Sequence, residues 1–122
     1  MRFLTSLLLA ATLLFAFAPR SDAQEVQTEW LTSAQYQSYF EANLPGSGLV
    51  PIHVEAAEFH GQVYFYARFQ RLNGIGWATH HGLSDASFAQ RNNQYVAQGY
   101  TLVQHQRFVG AGRVHNQGIW HR

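Results

Sequence analysis

Apolar and polar residues alternate strictly from Val63 to Phe69: Val63, Phe65, Ala67 and Phe69 fall on one side, Tyr64, Tyr66 and Arg68 on the other. A period of two predicts a strand. Leu49 to Glu58 supplies its hairpin partner across a turn at His60-Gly61. Upstream the period lengthens. Tyr36, Tyr39 and Phe40 recur at helical spacing behind Thr32, a good N-cap with Gln35 three positions on, and Pro45-Gly46-Ser47-Gly48 stops the helix. The same order of elements returns downstream. Ser84 caps a second helix with Phe88, Tyr95 and Val96 as its stripe, and Gly99 suits the left-handed residue after its end. Tyr100 to Val109 and Arg113 to His121 then form a second hairpin across Gly110-Ala111-Gly112.

Aligned directly, Leu31-Thr32-Ser33-Ala34-Gln35-Tyr36 matches Leu83-Ser84-Asp85-Ala86-Ser87-Phe88 at a spacing of 52. Gly48 and Gly99, Gly61 and Gly112, Val63 and Val114, Phe69 and Trp120, and Arg71 and Arg122 match at a spacing of 51. A duplication explains both. The expected fold class is α+β: two helix-plus-β-hairpin repeats, residues 31–71 and 83–122, packed as one small domain whose sheet can curl into a partial barrel. A Gly-rich connector over 72–82 joins them, with Trp77 expected in the core.

Ahead of this domain the pattern changes. Met1-Arg2 is followed by an almost purely apolar run from Phe3 to Ala18, and Ser21 and Ala23 provide small residues at the minus-three and minus-one positions. This is the pattern of an export signal over residues 1–23, cleaved before Gln24, and the run is short for a membrane span. The expected product is residues 24–122, secreted or periplasmic, with no stable membrane anchor after cleavage. It carries six Arg against six acidic residues. So balanced a chain has no electrostatic footprint for nucleic acid.

Composition removes whole chemistries. Of 122 residues none is Cys, and all eight cations are Arg. Disulfides, thiolate metal sites, Fe–S clusters and cysteine nucleophiles are excluded, as are Schiff-base lysines and any Ser-x-x-Lys pair. Seven His remain. His80-His81 is the most prominent pair, and a hairpin turning at Gly110 to Gly112 would bring His105 and His115 near each other, one ligand short of a metal site. No Gly-x-Ser-x-Gly elbow is present, since Gly46-Ser47-Gly48 reads as a helix stop. Glu55 and Glu58, three apart on a strand, face opposite ways and do not form a glycosidase dyad. No catalytic residue and no cofactor is assigned.

Recognition has better candidates. Tyr64, Tyr66 and Arg68 form the second face of a strand whose first face is already apolar, and Tyr and Arg are enriched at recognition surfaces. The alternative is that a helix or the other unit covers that face. Trp77 and His81 join them as binding candidates. Twelve Gln and five Asn after residue 23 offer uncharged hydrogen-bond partners, which suits polysaccharide or polypeptide.

The stretch Trp77-Ala78-Thr79-His80-His81-Gly82-Leu83-Ser84, with Phe88, Gln98-Gly99-Tyr100-Thr101-Leu102-Val103, Gly110-x-Gly112 and Ile119-Trp120, resembles the bacterial tandem repeat domain. That repeat also occurs in the amino-terminal barrel region of fungal polyglycine hydrolases. Thr101 stands where the family usually has Arg, and the first unit departs further, with Gly48-Leu49 for Gly-Tyr and Phe69 for the closing Trp. The resemblance implies a scaffold that stands beside a separate β-lactamase-like catalytic domain in those hydrolases. A chain without Lys cannot supply that domain's Ser-x-x-Lys pair. The expected function is therefore an exported, non-catalytic repeat module that binds or scaffolds a partner protein or envelope polymer, with self-association as a further outcome. The alternative is a small secreted hydrolase, His-metal dependent or not, or an accessory subunit of a polyglycine-hydrolase-like serine hydrolase.

Overall fold

The computed structural model describes residues 25–122; the expected export signal and its cleavage point lie outside the described residues. The chain runs β1 (Glu25–Gln27), α1 (Ser33–Asn43), β2 (Leu49–Phe59), β3 (Gln62–Arg71), β4 (Trp77–Leu83), α2 (Asp85–Ala97), β5 (Thr101–Gly110) and β6 (Arg113–His121). Two three-stranded antiparallel sheets result, ordered β1-β3-β2 and β4-β6-β5. Among the described residues they are separate sheets and do not close into a barrel.

Both helices begin as their caps dictate. Thr32 accepts from the Gln35 N–H while the Gln35 side chain accepts from the Thr32 N–H, and Ser84 accepts from the Ser87 N–H. Gly99 follows α2 at a φ of 90°, where a side chain would be strained. The two hairpins are copies in fine detail. His60-Gly61 and Ala111-Gly112 all have positive φ, which makes both connections two-residue turns of the kind that follows strand twist. Each hairpin also carries a register shift at the same place, beside Ile52 in the first and Val103 in the second.

The repeated unit is larger than helix plus hairpin. The connector contains a strand, β4, paired with β6 from Trp77 opposite His121 to Leu83 opposite Asn116. Its counterpart in the first unit is β1, with Glu25 opposite Gln70, continued by a bridge between Leu31 and Phe65. Each unit is thus strand, helix, hairpin. Local sequence hides these edge strands because their partners lie about 40 residues downstream and their own composition is Gly- and His-rich or very short.

Helix α1 covers the apolar face of β2 and β3. Tyr36 meets Phe65 at a tilt and Phe40 meets Phe69 edge-on, and Val54, Ala56, Phe65, Ala67 and Phe69 are buried. The second unit packs more loosely, since α2 has no fully buried residue. Its anchor is Trp120, fully buried, whose indole N–H donates to Asn92 Oδ1 at 3.0 Å. Gly118 lets Phe88 and Trp120 approach: a Cβ there would lie 2.9 and 2.7 Å from them. Trp77, expected in the core, is half-buried and meets Phe40 edge-on at 6.5 Å.

Candidate functional site

The two units stack through unlike surfaces. One is the free edge of β2, where Val54 and Ala56 point their N–H and C=O groups away from β3. The other is the face of the second sheet turned away from α2. Gln104 accepts from the Val54 N–H at 2.9 Å and donates to its carbonyl at 3.1 Å. Gln106 does the same for Ala56, at 2.7 and 3.3 Å. Each carboxamide turns an N–H donor and its C=O acceptor to the strand edge and so replaces the peptide group of a missing strand. The bonds run from 104 to 54 and from 106 to 56, so β5 lies parallel to β2. Gln117 is fully buried behind them, donating to Gln106 Oε1 and accepting from the Gly82 N–H. His121 donates to the Pro51 carbonyl and Ala111 N–H donates to Glu58.

His80 and His81, adjacent on β4, point to opposite faces as strand geometry requires. His80 stacks on Tyr95 and meets its hydroxyl at 2.7 Å. His81 enters the first unit: its ring lies 4.6 Å from Tyr36 and 4.7 Å from Phe65, and its Nε2 lies 2.9 Å from Ser33 Oγ. Burial, reinforced by the charge of His80, pulls its pKa down to about 4, against an opposing hydrogen bond to the Ser33 backbone. His81 is therefore a neutral wedge in the seam. It borders two cavities, one of about 320 Å³ with Tyr36, Phe40 and Trp77 and one of about 310 Å³ with Ser33, Arg113 and His115.

Tyr64, Tyr66 and Arg68 lie on the first sheet opposite α1, and among the described residues no helix covers them. Trp30 stacks on Tyr66 at 5.1 Å and meets Phe59 edge-on at 6.2 Å. Phe59 in turn packs on Tyr64, His53 packs against Tyr66, and Arg68 pairs with Glu25 at 3.1 Å. Trp30 and Phe59 are 39% and 49% exposed. Sequence reasoning missed both, because neither falls on the alternating stripe that marked the tyrosines. In the second unit the equivalent positions of Tyr64, Tyr66 and Arg68 are His115, Gln117 and Ile119, all buried against the first unit. The open face of the first unit is therefore the counterpart of a face already used for docking.

The expected approach of His105 and His115 is not found. His105 faces α2, stacked on Phe88 at 4.0 Å and bonded to Asn116, whereas His115 faces the seam and donates to the Gly110 carbonyl. They occupy opposite faces of one sheet because their positions differ in parity across the register. Among the described residues no group of three His, Cys, Asp or Glu could hold a metal ion. Asp85 opens α2, and its exposed carboxylate is held to about 2 by hydrogen bonds from Arg107 and Asn116.

A pair of strand-helix-hairpin units with matching turns, matching register shifts and a seam made by side-chain amides defines a tandem structural-repeat protein. The chain belongs to the polyglycine hydrolase-like structural repeat family, whose model matches twice, over residues 30–71 and 74–122. No curated protein and no solved structure matches it.

Proposed function

We propose that this protein is an exported, non-catalytic repeat module that binds an extracytoplasmic polymer or partner protein through the open face of its first unit. The observation that carries this reading is the unequal fate of one face in two copies: buried against a neighbour in the second unit, half-buried and aromatic in the first, with Trp30 and Phe59 exposed on it. Trp30, Phe59, Tyr64 and Tyr66 offer flat apolar surface for a sugar ring or a peptide, and His53, Glu55 and Arg68 surround them with hydrogen-bonding groups. The signal pattern over residues 1–23 supports placement outside the cytoplasm.

Binding is measured by co-sedimentation with isolated cell-envelope polymer and by titration with soluble polypeptides. Tyr64→Ala with Tyr66→Ala is expected to lower affinity at least about tenfold, equivalent to about 1.4 kcal/mol, with the far-UV spectrum unchanged. Equal binding by the variant and the parent chain overturns the reading. Trp30→Ala gives a second, independent lesion of the same face.

A small serine hydrolase is the second reading, and one contact favours it. Ser33 opens α1 beside the helix N-terminus with His81 Nε2 at 2.9 Å, at a cavity of about 310 Å³. A hydrolase would use Ser33 Oγ as nucleophile and His81 as base. With a pKa near 4, His81 is a weak base, and no carboxylate contacts it among the described residues. Turnover of a chromogenic ester that disappears in Ser33→Ala would establish this activity, and a parent chain without turnover removes it.

A further inference from the structure

The 51-residue correspondence sets Val54 against His105 and Ala56 against Arg107. In the first unit these edge positions are 0% and 3% exposed, because the second unit lies over them. In the second unit they are exposed, and among the described residues no hydrogen bond reaches their backbone N–H and C=O groups. Their side chains are already engaged on the other side of the strand: His105 stacks on Phe88, and Arg107 pairs with Asp85 at 2.9 and 3.0 Å. Val103 and Val109 flank this edge at 47% and 61% exposure. Leu102 to Gly110 contains no proline, its one charge, Arg107, is neutralised by Asp85, and its register shift lies at Val103, beside rather than within the stretch from His105 to Arg107.

We propose that the free edge of β5 is a docking site for a further unit of this repeat type, one that presents two glutamines at alternate positions of a strand running parallel to β5. The seam within the chain supplies the template. Two carboxamides two residues apart satisfy four backbone groups of one edge, and the β5 edge offers the same four groups at the same spacing, beside the same register shift. The first unit of a second copy is a poor occupant. It carries His53 and Glu55 where the second unit carries Gln104 and Gln106, and these two bond each other at 2.9 Å. An ionised Glu55 has no donor for the Arg107 carbonyl. The docking edge lies at the opposite end of the stack from the aromatic face, so either can fail without the other.

The probe is the full chain followed directly by a second copy of residues 72–122. The proposal expects the added unit to seat on β5, slowing hydrogen exchange at the His105 and Arg107 amides at least about tenfold and giving one cooperative unfolding transition. Replacing both glutamines of the added unit by alanine is expected to restore the original exchange rates. Unchanged exchange at both amides in the extended chain overturns the proposal. So does protection of those amides in the two-unit chain through concentration-dependent dimers seen by light scattering, which would make a second copy the occupant.

Discussion

Replacing Gln104 and Gln106 together by alanine is expected to lower stability by about 4 kcal/mol and to uncouple the two units. Four backbone groups of Val54 and Ala56 lose their partners, each worth about 1–3 kcal/mol when left unpaired in a buried place, with partial relief from water entering the space vacated. A chain of this size has roughly 5–15 kcal/mol in total. Because the seam joins two separate sheets, the loss falls on the contact between units more than on either core. Urea unfolding followed by far-UV circular dichroism and by tryptophan fluorescence should give coincident curves for the parent chain and separated curves for the variant. A loss below about 1 kcal/mol with coincident curves would show that the amides are incidental to the stack. Gln106→Glu is the sharper single change, since it keeps size and acceptor but removes the donor that the Ala56 carbonyl uses.

Acid is expected to weaken the same seam through His81. Its folded pKa lies near 4, below the ordinary 6.5, so the unfolded chain binds the proton first. The stabilisation is fully present above about pH 6.5 and is lost as pH falls toward 4, because protonation places a charge between Tyr36 and Phe65. The full shift corresponds to about 3 kcal/mol, and partial solvent access brings the expected loss to about 2 kcal/mol. His80, lowered by burial and by Arg91, acts in the same direction. Asp85 contributes in a separate window: with its folded value depressed to about 2, its contribution is present above about pH 4 and is lost as the pH falls from there toward 2. Urea midpoints between pH 7 and pH 4 should fall steeply for the parent chain and more gently for His81→Gln. Parallel profiles would place the acid sensitivity elsewhere.

The caps, the helices and both hairpins were legible because each rests on neighbours within a few residues. Thr32 with Gln35, Ser84 with Ser87, and the glycines at 61, 99 and 112 impose their geometry locally. The edge strands were not legible. Trp77 to Leu83 reads as a Gly- and His-containing connector, and it becomes a strand only because β6 offers it unpaired backbone. The site divides in the same way. Tyr64, Tyr66 and Arg68 stood out by alternation, but whether their face was open could not be read from a period of two. Trp30 and Phe59 joined them only through the fold, and His105 and His115 were separated by it.

By itself the sequence determined the unit: an α+β segment, written twice, in a chain with no Lys and no Cys. Only the tertiary structure decided how the two copies differ. Gln104-x-Gln106 has the look of any solvated strand face, and His53-x-Glu55 occupies the same positions. A carboxamide can replace a peptide group on both its donor and acceptor sides, whereas a carboxylate accepts alone. That difference acts only when a second backbone edge comes within about 3 Å, so it becomes visible when the units are stacked. Stacking buries one copy of each surface and leaves the other open, an aromatic face at one end and a bare strand edge at the other.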